Sequence, residues 1–252
     1  IYTSFVTAND IAFFTYYSYS SGEYITYRST DYGASWEQIA LAVEDSYGLT
    51  SDDFGNVFVR GGTQIFVSAD NGDNWQDISG NIASVADYLP GYTIWISPTG
   101  DIYVPGFNSV DYKQGLFVST DQGATWTFTG EINDENSIYD LRDIKWQGSK
   151  MVLAFYYGLL TSSDGGVTFQ NAIEGITDLS FENLELFGNS KLQAYGNSGV
   201  FESNDLDTWS KRDDVNSRKT LKLNDGSLLG YSGDYTIRKT IDNGQTWTTV
   251  ST

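Results

Sequence analysis

Residues 119–126 read STDQGATW, and variants of this phrase recur along the 252-residue chain. The shared pattern is Ser/Thr-x-Asp-x-Gly-x-x-Trp/Phe. At average amino-acid frequencies it would match about once in 10⁴ to 10⁵ starting positions, so five full copies and one shortened copy mark an internal repeat. The other five segments are residues 29–36 (STDYGASW), 68–75 (SADNGDNW), 162–169 (SSDGGVTF), 203–209 (SNDLDTW) and 240–247 (TIDNGQTW).

The spacing of the copies indicates the fold. Successive Asp residues of the phrase lie 37 to 51 residues apart. Repeats of about 40 residues built from short strands are typical of propeller blades with four strands. Helical repeats need a 3.6-residue apolar period, whereas this chain has short β-rich runs such as Asn56–Val59 and Lys150–Phe155 between Gly, Asn, Asp and Ser residues. The sequence therefore predicts an all-β, six-bladed β-propeller with four antiparallel strands per blade and negligible helix.

Each blade divides in the same way, with the phrase on the turn between strands C and D. In the third blade we expect strand A near Tyr92–Ser97, strand B at Asp101–Pro105 and strand C at Gly115–Ser119. The chain is expected to begin in strand A of blade one and to end in strand D of blade six, without exchange of a strand; a ring with a seventh blade is the alternative. We expect a single domain over residues 1–252, with blades at about 1–42, 43–84, 85–131, 132–174, 175–213 and 214–252.

The phrase resembles the Asp-box, or BNR repeat, of sialidases, xyloglucan-degrading double propellers, sortilin-type receptors and photosystem II assembly factors. The resemblance implies that each box is a structural turn on the face opposite the binding site. The residue types suit that role, because a carboxylate accepts backbone N–H groups, Gly permits a positive φ and an aromatic ring packs between blades. The fifth copy is one residue short, so we expect a tighter or distorted turn there. We interpret as structural the box residues Asp31, Trp36, Asp70, Trp75, Asp121, Trp126, Asp164, Phe169, Asp205, Trp209, Asp242 and Trp247.

Composition excludes several classes of function. The net charge of −19 and the pI of about 4.1 disfavour nucleic acid and anionic membranes as partners. The chain has no Cys and no His, which excludes disulfides, zinc–thiolate sites and histidine chemistry. It has no apolar stretch of membrane-spanning length and no calcium-loop spacing. We expect no metal, no cofactor and a monomer.

The first residue, Ile1, is not Met, so we expect a processed chain from which a secretion signal has been removed. The expected location is extracellular, at the cell surface or in the periplasm.

Tyrosine is concentrated in the segments predicted to form the B–C and D–A loops, opposite the boxes. Its rigid, amphipathic ring suits stacking on a sugar or gripping a peptide. The alternative for each tyrosine is that it fills a seam at a strand end, since Tyr is a favoured strand residue. The predicted ligand-binding residues are Tyr17, Tyr112, Tyr157 and Tyr235, with Arg60 and Arg142 as cations that would offset the acidic charge.

Carboxylates also lie in these loops, and two facing carboxylates suffice for glycoside hydrolysis. An acidic chain exposes many carboxylates, however, and none is singled out as catalytic. The resemblance to sialidases implies three arginines, the first followed by Ile-Pro, and none of the six arginines here is followed by Ile-Pro. Xyloglucan-degrading enzymes of this type contain two large propellers, and 252 residues form one.

We favour a secreted or surface-exposed, non-catalytic propeller that binds a glycan or protein ligand through a Tyr-rich face. Two alternatives stay open. One is a glycoside hydrolase or lyase that acts on a polysaccharide with a carboxylate or Tyr site in the central depression. The other is an assembly or scaffold factor of the photosystem II type.

Overall fold

The fold is built almost entirely from antiparallel sheets, each made of strands that are consecutive in sequence. The described part of the chain contains six such sheets, one short helix, α1 (Ile82–Val85), and one 3₁₀ turn (Ile138–Asp140). The chain is a six-bladed β-propeller with four-stranded antiparallel blades, which confirms the prediction from the repeat. The computed structural model describes residues 3–43, 48–91, 93–132, 137–172, 174–176, 180–187, 191–212, 219–223, 225–231, 236–242 and 244–251.

The first compact unit, Ile1–Thr129, contains the first three blades except for the last two residues of the third, Gly130 and Glu131. Blade one has β1 (Thr3–Val6), β2 (Ala12–Ser18), β3 (Glu23–Ser29) and β4 (Glu37–Ile39). Blade two has β5 (Gly48–Ser51), β6 (Val57–Gly61), β7 (Gln64–Ser68) and β8 (Gln76–Asp77). Blade three has β9 (Ala86–Tyr88), β10 (Trp95–Ile96), β11 (Ile102–Asn108), β12 (Gln114–Ser119) and β13 (Thr127–Glu131).

Apolar residues on facing sheets form the core of this unit. In β2 the side chains alternate between the two sheet faces, so Phe13 is buried while Phe14 is only half-buried. Phe13 packs with Leu49, Val57 and Val59 of blade two. A second cluster joins blades two and three, where β11 is buried on both faces. Its members include Phe58, Ile65, Ile102, Val104, Phe117 and Trp126.

The second compact unit, Gly130–Thr252, contains the last three blades. Its core lies between blades four and five, where Val152, Leu159, Leu184 and Phe201 are completely buried. The strands are β14 (Leu141–Gln147), β15 (Lys150–Phe155), β16 (Gly158–Ser162) and β17 (Gln170–Asn171) in blade four; β18 (Phe181–Phe187), β19 (Lys191–Gly196), β20 (Gly199–Ser203) and β21 (Ser210–Arg212) in blade five; and β22 (Lys219–Lys222), β23 (Leu228–Tyr231), β24 (Ile237–Thr240) and β25 (Thr248–Ser251) in blade six.

Blade three departs from the predicted strand pattern. Strand A was expected near Tyr92–Ser97, but β10 has only two residues, and Tyr92 lies outside the described residues. The additional strand β9 pairs with the other end of β11. Ile82, the first residue of α1, and Leu89, the residue after β9, both lie in the core of the first unit. Because these contacts are made with other blades, the local sequence pattern does not reveal them.

We predict that Trp126→Ala lowers the free energy of unfolding by about 3–5 kcal/mol, because it leaves a cavity in a fully buried seam. The matched control is Trp36→Ala, at the same box position in blade one, where 41% of the residue is already exposed. Urea denaturation of both variants checks the difference. Equal losses for the two tryptophans would contradict the assignment of Trp126 as the anchor of its seam.

Candidate functional site

The box of blade three is a turn held by its own side chains. Asp121 Oδ1 accepts the Thr125 backbone N–H at 2.8 Å, and its Oδ2 accepts the Thr125 hydroxyl at 2.7 Å. The Ser119 hydroxyl donates to Asp121 Oδ1 at 2.8 Å and accepts the Gly123 N–H at 2.7 Å. A Cβ at Gly123 (φ 87°) would lie 2.3 Å from the Ile78 carbonyl oxygen, so this position requires glycine.

The hydrogen bonds lower the pKa of the box carboxylates. In Asp31 the hydroxyl of Ser35 is the largest cause, followed by the Ser35 backbone N–H, and the pKa falls to about 2. In Asp70 the side-chain amide of Asn74 has the same role, and the pKa again falls to about 2. These carboxylates are therefore held ionised by the turn, which suits a structural role rather than proton transfer.

The shortened box of blade five forms a tighter turn, as predicted. The Ser203 hydroxyl accepts the N–H of Leu206, three residues on rather than four. Leu206 has a φ of 67° and takes the left-handed conformation. Asp205 Oδ1 accepts two backbone N–H groups, those of Asp207 and Thr208, at 2.9 and 2.8 Å.

The aromatic residues at the end of the six boxes differ in how deeply they are buried. Trp126 and Trp209 are buried, and the Trp126 Nε1–H donates to the Ile78 carbonyl at 3.1 Å. Trp75, Phe169 and Trp247 are half-buried. Trp36 corrects the expectation that every ring packs between blades, because its ring lies edge-on to Phe14 in its own sheet at 4.8 Å.

In blades one, three and four, the end of the sheet opposite the box carries predicted binding residues. Because neighbouring strands are antiparallel, the B–C turn and the C–D box lie at opposite ends of strand C. In blade three the B–C end carries Tyr88, Phe107 and Tyr112, which we call the Tyr112 cluster. Tyr112 is 60% exposed and stacks on Phe107 with 5.0 Å between ring centroids. Phe107 pairs with Tyr88 across β9 and β11.

Blade one has a similar group, the Tyr17 cluster, formed by Tyr17, Tyr19 and Tyr24. Tyr17 is half-buried and contacts Tyr19 edge-on at 5.3 Å and Tyr24 at 5.1 Å. Tyr19 is 92% exposed in the β2–β3 turn. The three rings therefore form a continuous aromatic surface at the B–C end of this sheet.

Blade four has the Tyr157 cluster, formed by Tyr156, Tyr157 and Arg142. Tyr157 is 60% exposed and meets Tyr156 edge-on at 4.7 Å. The Arg142 guanidinium carbon lies 5.7 Å from the centre of the Tyr156 ring, and its Nη2 lies 3.9 Å from Asp140. Arg142 therefore supplies a partly exposed cation beside these two tyrosines.

Arg60 does not supply such a cation, which corrects the prediction for this residue. It is completely buried, and its Nη2 donates to the Pro90 carbonyl at 3.0 Å while Nη1 donates to the Gly62 carbonyl at 3.3 Å. Tyr235, the remaining predicted binding residue, lies outside the described residues. Asn81 was not singled out from the sequence, yet its Oδ1 accepts the Trp126 N–H at 2.6 Å.

Within the described residues no group of three or more acidic side chains is placed to hold a metal ion. None of the helical segments in that part of the chain is long and apolar enough to cross a membrane.

A family model described as BNR/Asp-box repeat matches residues 117–128, which contain the whole box of blade three, residues 119–126. The chain is a β-propeller that carries an Asp-box repeat. No match was found among curated proteins.

Solved structures resemble the Asp-box propeller in fold. A structure of YCF48 bound to D1 peptide is 17% identical with a TM-score of 0.61, over 89% of this chain and 74% of that one. The GH74 enzyme of Niastella koreensis is 15% identical with a TM-score of 0.59, over 92% of this chain but 36% of that one. YCF48 from Cyanidioschyzon merolae is 16% identical with a TM-score of 0.55, over 85% of this chain and 76% of that one. At these identities the likeness shows the fold alone.

We predict that the propeller loses thermal stability as the pH falls from about 4 to about 2. The folded pKa of Asp31, Asp70, Asp164 and Asp242 is about 2, below the ordinary value of 3.8. Stability from a lowered carboxyl pKa is complete above the unfolded pKa and is lost as the pH falls through the folded one. Circular dichroism melts at several pH values measure this, and a constant melting temperature over this range would contradict it.

Proposed function

We propose that this Asp-box propeller is a non-catalytic binding module that recognises a glycan or protein ligand through the tyrosine clusters at its B–C ends. The observation that carries the proposal is that Tyr112 and Tyr157 are exposed and yet held in place by a neighbouring ring. Each ring is 60% exposed, yet each is held by a second aromatic ring, Phe107 or Tyr156. A ring that is fixed before the ligand arrives loses little conformational entropy on binding, which favours affinity.

The lowered pKa of two carboxylates, Asp111 and Glu202, also supports binding rather than catalysis. A glycosidase needs a general acid whose pKa is raised toward the working pH. In Asp111, beside Tyr112, a hydrogen bond with Asn108 and the charge of Lys113 lower the pKa. In Glu202 burial acts to raise the pKa, but Lys191 and Arg212, at 3.2 and 3.3 Å, outweigh it and the pKa is lowered.

The related structures suggest which ligand classes to test. One is described as YCF48 bound to D1 peptide and another as a GH74 enzyme. A peptide and a polysaccharide are accordingly the two ligand classes for comparison. We also propose a location outside the cell, at its surface or in the periplasm, where the net charge of −19 would favour solubility.

We predict that Tyr112→Ala and Tyr157→Ala weaken ligand binding by about tenfold or more while the melting temperature changes little, because each removes exposed stacking area. The matched control is Tyr32→Ala. Tyr32 is 84% exposed, has the same φ of 58° as Tyr112 and lies in the box turn of blade one. Glycan and peptide arrays identify the ligand, and isotherms for the three variants test the site.

Two outcomes would overturn the proposal. Lower stability with unchanged affinity in the Tyr112 and Tyr157 variants would show that these rings fill seams. Release of reducing sugar from a polysaccharide panel, abolished by a carboxylate substitution, would show an enzyme.

A further inference from the structure

Blades four and five form the same backbone at the end opposite the box. In blade four the Tyr156 N–H donates to the Asp140 carbonyl at 3.0 Å, and in blade five the Asn197 N–H donates to the Ser180 carbonyl at 3.1 Å. Both B–C turns also contain two residues between the paired strand ends. The two ends therefore differ in their side chains and not in the path of the chain.

The first strand of each of these two blades carries a β-bulge at the same place. In β14 the register shifts between Leu141 and Asp143, which leaves Arg142 as the extra residue. In β18 the equivalent extra residue is Glu182. A bulge turns its extra side chain out of the ladder, and both side chains are exposed. Because the same bulge forms around an acid and around a base, the fold does not itself require Arg142.

The remaining side chains of the Tyr157 cluster are not needed by the fold either. Blade five makes the same turns with small polar residues in place of the two tyrosines and the aspartate, namely Asn197, Ser198 and Ser180. Tyr157 adds an exposed ring to blade four that covers little of the protein. Packing therefore does not explain the aromatic and charged residues at this end of blade four.

The guanidinium of Arg142 is held in place, but its hydrogen-bond donors are unused. Its carbon lies 5.7 Å from the centre of the Tyr156 ring, and its Nη2 lies 3.9 Å from Asp140 Oδ1, which is too long for a hydrogen bond. In the described part of the chain, no residue accepts a hydrogen bond from this guanidinium or donates one to the Asp140 carboxylate. By contrast, the Arg28 guanidinium donates to two carboxylates and a carbonyl. Arg142 and Asp140 thus present donors and acceptors side by side.

We propose that the Tyr157 cluster and Asp140 bind a neutral sugar of a polysaccharide through two hydroxyls on neighbouring ring carbons. One hydroxyl accepts a hydrogen bond from Arg142, the other donates one to Asp140, and the apolar face of the sugar stacks on the ring of Tyr157. The inference rests on the proposed binding function and specifies the ligand class at this cluster. A few convergent polar groups beside an aromatic face are the usual means of orienting a small ligand.

The charge of the site favours a neutral sugar over an acidic one. Asp140 offsets the charge of Arg142, and the whole chain carries a net charge of −19. An acidic group bound between the two would be repelled by Asp140 about as strongly as it is attracted by Arg142, because the Coulomb energy depends on distance alone for equal charges in one medium. A hydroxyl pair uses both side chains without this repulsion.

A peptide complements the site less completely. An extended main chain can offer one N–H to Asp140 and one carbonyl to Arg142, but it has no saturated ring to stack on Tyr157. The peptide residue with such a ring is proline, which lacks the N–H that Asp140 would accept. A sugar supplies the ring face and both polar groups at once.

The test measures binding of three neutral hexasaccharides, cellohexaose, mannohexaose and xylohexaose, to the full chain by titration calorimetry. Hexagalacturonate is the acidic probe, and an acetylated hexapeptide of alternating proline and glycine is the peptide probe. The neutral sugars are also tested with their hydroxyls O-methylated. Methylation keeps the apolar face of each ring but removes the hydroxyl donors that Asp140 needs.

Two substitutions remove the polar pair and leave the tyrosines in place. Arg142→Met removes the donors but keeps an unbranched side chain beside Tyr156, and Asp140→Ala removes the acceptor. The matched controls are Glu182→Met and Ser180→Ala, at the equivalent positions of blade five. Thermal melts of all four variants establish that they are folded.

We expect at least one neutral hexasaccharide to bind, and hexagalacturonate and the peptide not to bind. Arg142→Met and Asp140→Ala should each weaken sugar binding by about tenfold or more, because each removes a hydrogen bond to a charged group. O-methylation should abolish binding, the two controls should leave it unchanged, and added salt should have little effect on a neutral ligand.

Three results would overturn the inference. One is that none of the neutral hexasaccharides binds. Another is that a neutral sugar binds as tightly to the Arg142→Met and Asp140→Ala variants as to the unaltered chain. The third is that hexagalacturonate or the peptide binds more tightly than the neutral sugars and loses this binding in Arg142→Met.

The outcome is separable from that of the proposed function. If the arrays yield a ligand whose binding depends on Tyr112 or Tyr157 but not on Arg142 and Asp140, this inference fails and the proposed function stands. If a neutral sugar binds through Arg142 and Asp140 but is then cleaved with release of reducing sugar, the ligand assignment stands and the non-catalytic function fails.

Discussion

The hydrogen bond between each box carboxylate and the backbone N–H a few residues later is the interaction on which the fold depends. In blade three it links Asp121 to Thr125 and sets the direction in which the chain leaves the turn. Trp126 then lies in the seam with blade two, where its indole N–H reaches the Ile78 carbonyl. The contact is so close that Gly123 cannot carry a side chain. A local turn thus also fixes how one sheet packs against the one before it.

This arrangement places the structural turns and the proposed binding residues at opposite ends of the sheets. The C–D end uses its polar side chains to satisfy the turn, and those carboxylates are ionised and already hydrogen-bonded. The B–C end has no such repeated motif, so its residues are free to differ between blades. Blade three places Tyr112 there, blade four places Tyr157, and blade two has a turn next to the buried Arg60. Variation at this end does not disturb the turns that hold the sheets.

The features that the sequence predicted are those decided within a few residues. The box turns, the antiparallel strand order and even the tighter turn at Leu206 follow from short-range hydrogen bonds. The burial of Arg60 was missed because its carbonyl partner belongs to Pro90, 30 residues away. Likewise, Trp36 and Trp126 occupy the same position of one motif, and only the neighbouring sheet decides which ring is covered.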